Sequence, residues 1–203
     1  MIKFYKLLIL STIAMIIISG CQSKANTQVE IKMKSEEEQK EIVDTYTFDD
    51  YKKVFDEAVS EANKLEDDEQ LRKWIIRTLA QEKVYYETDL TDVQVIELSK
   101  QAMEREKVWK SIAKVEYGIN VTDEEIDHYI KEGPDTSDLP QHLAYADALG
   151  LSLEELNHDF DRDIYEKNVI WLKLKPELEK KYATTDNNQQ VERYEEEVKK
   201  QLN

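Results

Sequence analysis

The chain is 203 residues long, with 28 Lys and Arg against 44 Asp and Glu, three histidines and one cysteine. A net charge of −16 repels phosphate backbones and anionic headgroups, which argues against nucleic-acid binding, and a single cysteine rules out an intramolecular disulfide. The acidity is interspersed with lysines, so it reads as a solvated surface with a weak, salt-dependent preference for basic polypeptides.

The first segment has the layout of an export signal. Lys3 and Lys6 form a basic start, Leu7 to Ile18 is an apolar run short for a membrane span, and Ile18-Ser-Gly-Cys21 ends it in the manner of a bacterial lipobox. Residues 1–20 are therefore expected to be a signal peptide and Cys21 the lipidated first residue of the mature chain. An uncleaved N-terminal anchor with an incidental cysteine is the alternative; both place the remainder on the extracytoplasmic face of a cell membrane, as in a Gram-positive envelope. Two acyl chains suffice for stable anchoring, since each buried methylene contributes about 0.8 kcal/mol. With Lys3 and Lys6 removed, 26 basic and 44 acidic groups remain and the charge becomes −18. Residues 21–46 are polar, with Lys-Ser-Glu-Glu-Glu-Gln-Lys-Glu at their centre, and read as a flexible tether.

Residues 47–182 carry helical periodicity throughout. Thr47 caps a first helix whose Tyr51, Val54, Phe55, Ala58, Ala62 and Leu65 form one apolar stripe. Asp67 or Asp68 starts a second helix with Leu71, Trp74, Ile75, Thr78 and Leu79 on its stripe. Thr91 and Gln94 form a capping box that opens a third, to Tyr117, about 39 Å long at 1.5 Å per residue. Arg105 and Glu106 interrupt its apolar stripe, which predicts a bent or less buried middle. Gly118 then stops that helix, and Thr122 with Glu125 starts a short fourth, ended by Gly133 and Pro134. A fifth spans about Leu139 to Leu149, with Pro140 in its first turn. Gly150, Ser152 and Glu155 repeat the stop-and-start device before a long last helix from Leu153, with a kink or restart expected near Leu172 to Lys175 because of Pro176. Residues 183–203 read as a polar tail, disordered or a loosely docked helix. No segment alternates as a strand, so the expected class is all-α, an irregular bundle of about six helices.

The order Gly118-Ile-Asn-Val-Thr-Asp-Glu-Glu-Ile126, then Gly150-Leu-Ser-Leu-Glu-Glu-Leu156, then a long amphipathic helix, resembles the helical chaperone domain of the SurA and PrsA families over roughly residues 108–182. Trigger factor carries a similar arrangement. The resemblance implies a bundle that holds unfolded or partly folded exported polypeptides. In these families a parvulin-type prolyl isomerase domain often follows, which needs on the order of a hundred residues. The tail past the last helix is too short for one, so holding without isomerisation is implied. The N-terminal strand common in these families is replaced here by Thr47 and its helix.

Candidate sites are few. Two Glu-x-x-His steps, Glu125 to His128 and Glu155 to His158, have the spacing of di-iron ligands, but both glutamates are committed to capping boxes and both histidines fall on polar faces, so no metal is expected. Asp159-Phe-Asp-Arg-Asp163 begins like a calcium loop, yet Ile164 stands where glycine is needed, and it reads as an acidic helical face. No nucleophile–base pair and no glycine-rich phosphate loop is present, so neither enzymatic activity nor a cofactor is expected. Trp74, Trp109 and Trp171, with Phe55 and Phe160, fill the core for the most part and supply the lip of a client-binding groove. Two functions follow: a membrane-anchored chaperone-like lipoprotein that binds exported or unfolded polypeptides in an apolar cleft, or an envelope lipoprotein that docks one folded partner through a defined apolar patch.

Overall fold

A computed structural model describes residues 29–203; Cys21 and the signal-like segment lie outside them. The class is all-α. Among the described residues there are nine α-helices rather than about six, and no strand beyond one isolated bridge. They are α1 (Glu36–Thr45), α2 (Phe48–Leu65), α3 (Glu69–Tyr85), α4 (Asp92–Val115), α5 (Asp123–Glu132), α6 (Pro140–Ala148), α7 (Leu153–Glu155), α8 (Arg162–Tyr182) and α9 (Asn187–Leu202). A 3₁₀ turn, Pro134–Thr136, precedes α6, and a π turn, Leu156–Phe160, separates α7 from α8.

Local chemistry explains most starts and stops. Thr47 with Asp50, Thr91 with Gln94, Thr122 with Glu125 and Ser152 with Glu155 all form reciprocal capping boxes, and Asp68 caps α3 alone. Each such cap contributes about 1 kcal/mol by giving an otherwise orphaned amide an acceptor. Gly118 and Gly150 stop their helices at φ +68° and +70°, a region that costs a side-chain-bearing residue about 1–2 kcal/mol.

Three regions depart from the reading above. Residues 36–45, taken as tether, form α1, because Ser35 and Glu38 make a fifth capping box and glutamate is a good helix former. Ile42 anchors α1 among Tyr51, Phe55, Val84 and Ala144. The strand-like segment before it is hydrogen-bonded to the end of α3, with the Lys34 amide donating to the Tyr85 carbonyl at 2.9 Å and the Glu87 amide to the Lys32 carbonyl at 2.8 Å. Second, the last long helix breaks at the π turn and runs uninterrupted through Pro176. Pro176 is exposed, and so is Leu172, whose carbonyl loses the amide partner that proline lacks, so water can take its place. Third, the tail forms the helix that was one of its two expected forms, but docks closely rather than loosely: α9 buries Gln190, Tyr194 and Val198 completely or nearly so.

The apolar side chains collect in separate clusters. One joins α2, α3 and the first turns of α4 through Ala58, Ala62, Leu71, Ile75, Leu79 and Val95. A neighbouring one holds α1 and α6 through Tyr51, Phe55 and Ala144. The third lies at the far end of α4, where Trp109, Ile112 and Ala113 meet Ile170, Leu174 and Leu178 of α8 and Tyr194 and Val198 of α9. Helix α4, about 36 Å long at 1.5 Å per residue, spans both ends. Between Ser99 and Trp109 it buries nothing fully, and Arg105 and Glu106 instead form ion pairs with Glu195 and Lys167.

If α9 is part of the core, Tyr194→Ala should lower the unfolding free energy in urea by about 3–5 kcal/mol, and Tyr194→Phe by about 1 kcal/mol for the lost hydrogen bond. A change below about 0.5 kcal/mol for Tyr194→Ala would place α9 outside the cooperative unit.

Candidate functional site

The richest aromatic assembly lies between α4 and α8. Trp109 on α4 and Trp171 on α8 stand 6.4 Å apart, ring centre to ring centre, and Tyr194 of α9 packs edge-on against Trp109 at 5.0 Å. Tyr117 meets Tyr194 at 5.8 Å, also edge to face. The Tyr194 hydroxyl donates to the Trp109 carbonyl at 2.7 Å, so this buried hydroxyl is satisfied.

Around this apolar floor runs a rim of donors that the carboxylates of α9 meet. Arg105 of α4 binds Glu195, its Nε at 3.1 Å. Glu197 accepts from the Tyr117 hydroxyl at 2.7 Å, from Lys181 at 2.8 Å and from the Tyr182 hydroxyl. Burial, then the carboxylate of Glu197, push the Tyr117 phenol far above its usual range, so it stays a donor at every physiological pH. Lys167 caps the outer face, 4.9 Å from the Trp109 ring centre. The helix that fills this seat, α9 of the same chain, meets it with an aromatic residue, Tyr194, an apolar residue four positions on, Val198, and the acids Glu195 and Glu197 beside them.

The other candidate residues lie elsewhere. Phe55 is 3% exposed and stacks in the α1–α2–α6 cluster. Trp74 and Phe160 pack against the Arg77 guanidinium, at 5.0 and 5.7 Å from the two ring centres. Trp109 and Trp171 are thus brought together, while Trp74 is not part of their cluster. Trp171 and Phe160 are half-buried; Phe55, Trp74 and Trp109 have their surface committed to packing. A shallow open groove of about 380 Å³ on α2 is lined by Asp56, Glu57, Ser60, Glu61, Lys64 and Lys83, too polar to take an unfolded apolar segment.

A buried polar joint at the π turn escaped the sequence reading. Arg77, nearly inaccessible on α3, donates to Asp161 at 2.7 Å and to both oxygens of Asp163 at 2.8 Å, and Lys73 adds a further bond to Asp163 at 2.7 Å. Within the acidic run 159–163, read as a helical face, Asp161 and Asp163 form an anchor while Asp159 stays exposed, because the π turn rotates Asp161 inward and the Asp161 amide bonds the Leu156 carbonyl at 2.7 Å. Burial opposes the charge on Asp163, but Arg77 and Lys73 outweigh it and hold its carboxyl well below the usual range. Burial also opposes the charge on Arg77, and Asp161 and Asp163 more than restore it.

Beside this pair, Asn157 is fully buried. Its oxygen accepts from the Tyr165 hydroxyl at 2.8 Å and lies 2.9 Å from His142 Nε2, while its amide donates to Asp135 at 2.9 Å. His158 pairs with Asp135 at 3.0 Å, so it serves this joint, and His128 is exposed. Glu125 and Glu155 sit in their capping boxes, Glu125 also meeting Lys173 at 2.5 Å. Among the described residues no three His, Cys, Asp or Glu side chains converge as metal ligands, and no helix is long and apolar enough to cross a membrane.

Comparison of the chain with protein-family models, with curated proteins and with solved structures finds no match.

Removing the cation from the buried joint should be more damaging than removing the whole charge set. Arg77→Met alone is expected to cost about 3–5 kcal/mol in urea unfolding, because Asp161 is left uncompensated and Asp163 keeps only Lys73, and adding Asp161→Asn and Asp163→Asn should recover part of that loss. No recovery would show that Arg77 acts through packing alone.

Burial lowers the affinity of His142 for a proton. The unfolded chain takes up that proton near pH 6.5 and the folded chain only at lower pH, so stability declines as pH falls below about 6.5. His142→Gln is expected to flatten the fall in unfolding free energy between pH 7 and 5; an unchanged slope would assign that fall to other groups.

Proposed function

We propose that this chain is a lipid-anchored, extracytoplasmic protein that works by non-covalent binding of other polypeptides, holding exported or unfolded segments. The observation that carries this reading is the seat between α4 and α8. Trp109, Trp171 and Tyr117 already hold a polypeptide helix there, gripped through Tyr194 and Val198 and flanked by ion pairs. A surface that binds one amphipathic helix through an aromatic, an aliphatic and two acids can bind others of like chemistry. The lipobox-like Ile18-Ser-Gly-Cys21 and the SurA- and PrsA-like order of helix junctions support the same reading.

A second reading is favoured by a different observation. The ends of α4 and α9 are tied by a bond from the Gln201 amide to Glu116 at 2.9 Å, and beside it Val115 is 77% and Leu202 42% exposed. An apolar pair at one end of the molecule suits docking to a single folded envelope protein.

The soluble form beginning at Gln22 is expected to suppress aggregation of an unrelated unfolded protein at a near-equimolar ratio. No suppression, with one stoichiometric partner recovered from solubilised membranes and lost on Val115→Asp, would reject holding and establish the second reading.

A further inference from the structure

We infer that α9 is an exchangeable element, and that the seat it fills between α4 and α8 is also the docking site for α9 of a second copy of this chain. The inference concerns self-association and stands whether or not other polypeptides use the seat.

The hinge is the first observation. Among the described residues Ala183 is the one non-glycine residue with positive φ, at 51°, with ψ 39°. At two other helix ends the chain places Gly118 and Gly150 in that same conformation. Alanine disfavours it because its Cβ crowds the following carbonyl. The turn from α8 into α9 thus rests on a residue whose own preference is a negative φ.

The contacts around the hinge are the second. Asp186 accepts from the Gln189 amide at 2.9 Å, Thr184 contacts the Gln189 side chain, and the Gln190 side chain donates to the Thr184 carbonyl at 2.8 Å. All of these lie on the α9 side of Ala183, so α9 keeps its cap and its local bonds when Ala183 rotates. The segment Ala183-Thr-Thr-Asp186 contains neither glycine nor proline, so little else in it can absorb the turn.

Complementarity is the third. What α9 leaves on release is an aromatic floor bordered by Arg105, Lys181 and the donor hydroxyls of Tyr117 and Tyr182, a cationic, donor-rich spot on a chain of net charge −16. The helix known to match it, by Tyr194, Glu195, Glu197 and Val198, is α9 itself. A second copy reforms every one of these contacts, so exchange trades only association entropy against relief at two hinges, the usual condition for segment swapping.

The test uses the exposed Glu116 and Gln201, which touch across the seat. The full-length chain in detergent micelles, with Cys21→Ser so that introduced thiols are unique, is made as Glu116→Cys, as Gln201→Cys and as the double variant. A short bismaleimide should close the double variant within one chain, confirming the geometry. In mixtures of the two single variants it should give a covalent heterodimer whose yield rises with protein concentration. Ala183→Gly in both copies, which removes the preference against the closed hinge, should lower that yield about tenfold. Internal closure of the double variant with no heterodimer at any concentration overturns the exchange. So does a heterodimer yield that Ala183→Gly leaves unchanged. Neither outcome depends on the aggregation assay, so self-exchange and client holding fail separately.

Discussion

The ion pair of Arg77 with Asp161 and Asp163 sets the architecture of this chain, because it joins α3 to the start of α8 across more than eighty residues of sequence. Arg77 can enter the interior only where two carboxylates meet it, and they reach it only because the π turn swings Asp161 inward. With that joint made, α8 leaves the N-terminal helices in one direction and runs beside the far half of α4. Buried pairs of this kind add little net stability compared with apolar packing, but their partners must be in register, so they favour one arrangement of the helices over its neighbours.

Given that direction, the two ends of the molecule solve the packing problem differently. The N-terminal end interleaves small and aliphatic residues of α2, α3 and α4, with Ala58 and Ala62 letting the helices approach closely. The far end uses large rings instead. Two helices, α4 and α8, cannot enclose Trp109 and Trp171 between them, and α9 closes the third side with Tyr194. Between the ends, α4 crosses a stretch where burial is incomplete, and Arg105 with Glu195, Glu106 with Lys167 and Lys110 with Glu166 pair across the helices in place of an apolar core. Such pairs are partly solvated and individually weak, which leaves the far end a separable unit held mainly by its aromatic cluster.

This division bears on function. The aromatic residues that suggest polypeptide binding are the same ones that give the far end its stability, and the seat they make is filled by a segment of the chain. Under the proposed function, binding of another polypeptide and docking of α9 would use one surface, next to the turn at Ala183. The polar groups at the rim of the seat, Arg105, Tyr117 and Lys181, are paired with the carboxylates of α9.

Helix starts and stops were legible in the sequence, because a capping box is a contact between residues three apart and a glycine stop is a matter of one residue's own φ. Thr47, Thr91, Thr122 and Ser152 could be placed without knowledge of any neighbour, and so could the amphipathic stripes of α2 and α3. The weakly apolar α1 was not, and α9 only as a loosely docked helix, since each is held by one to three buried side chains whose value depends on what lies opposite: Ile42 on Tyr51 and Phe55, Tyr194 on Trp109. The polar joint was hidden for the same reason. Nothing local distinguishes Arg77 or Asp161 from the many surface charges of so acidic a chain, and only the approach of α3 to the π turn gives them partners. The sequence by itself determined the segments and their ends through short-range hydrogen bonds and backbone preference, whereas tertiary structure alone decided which aromatic rings share a seat and which charges are buried, because those outcomes depend on contacts between residues tens of positions apart.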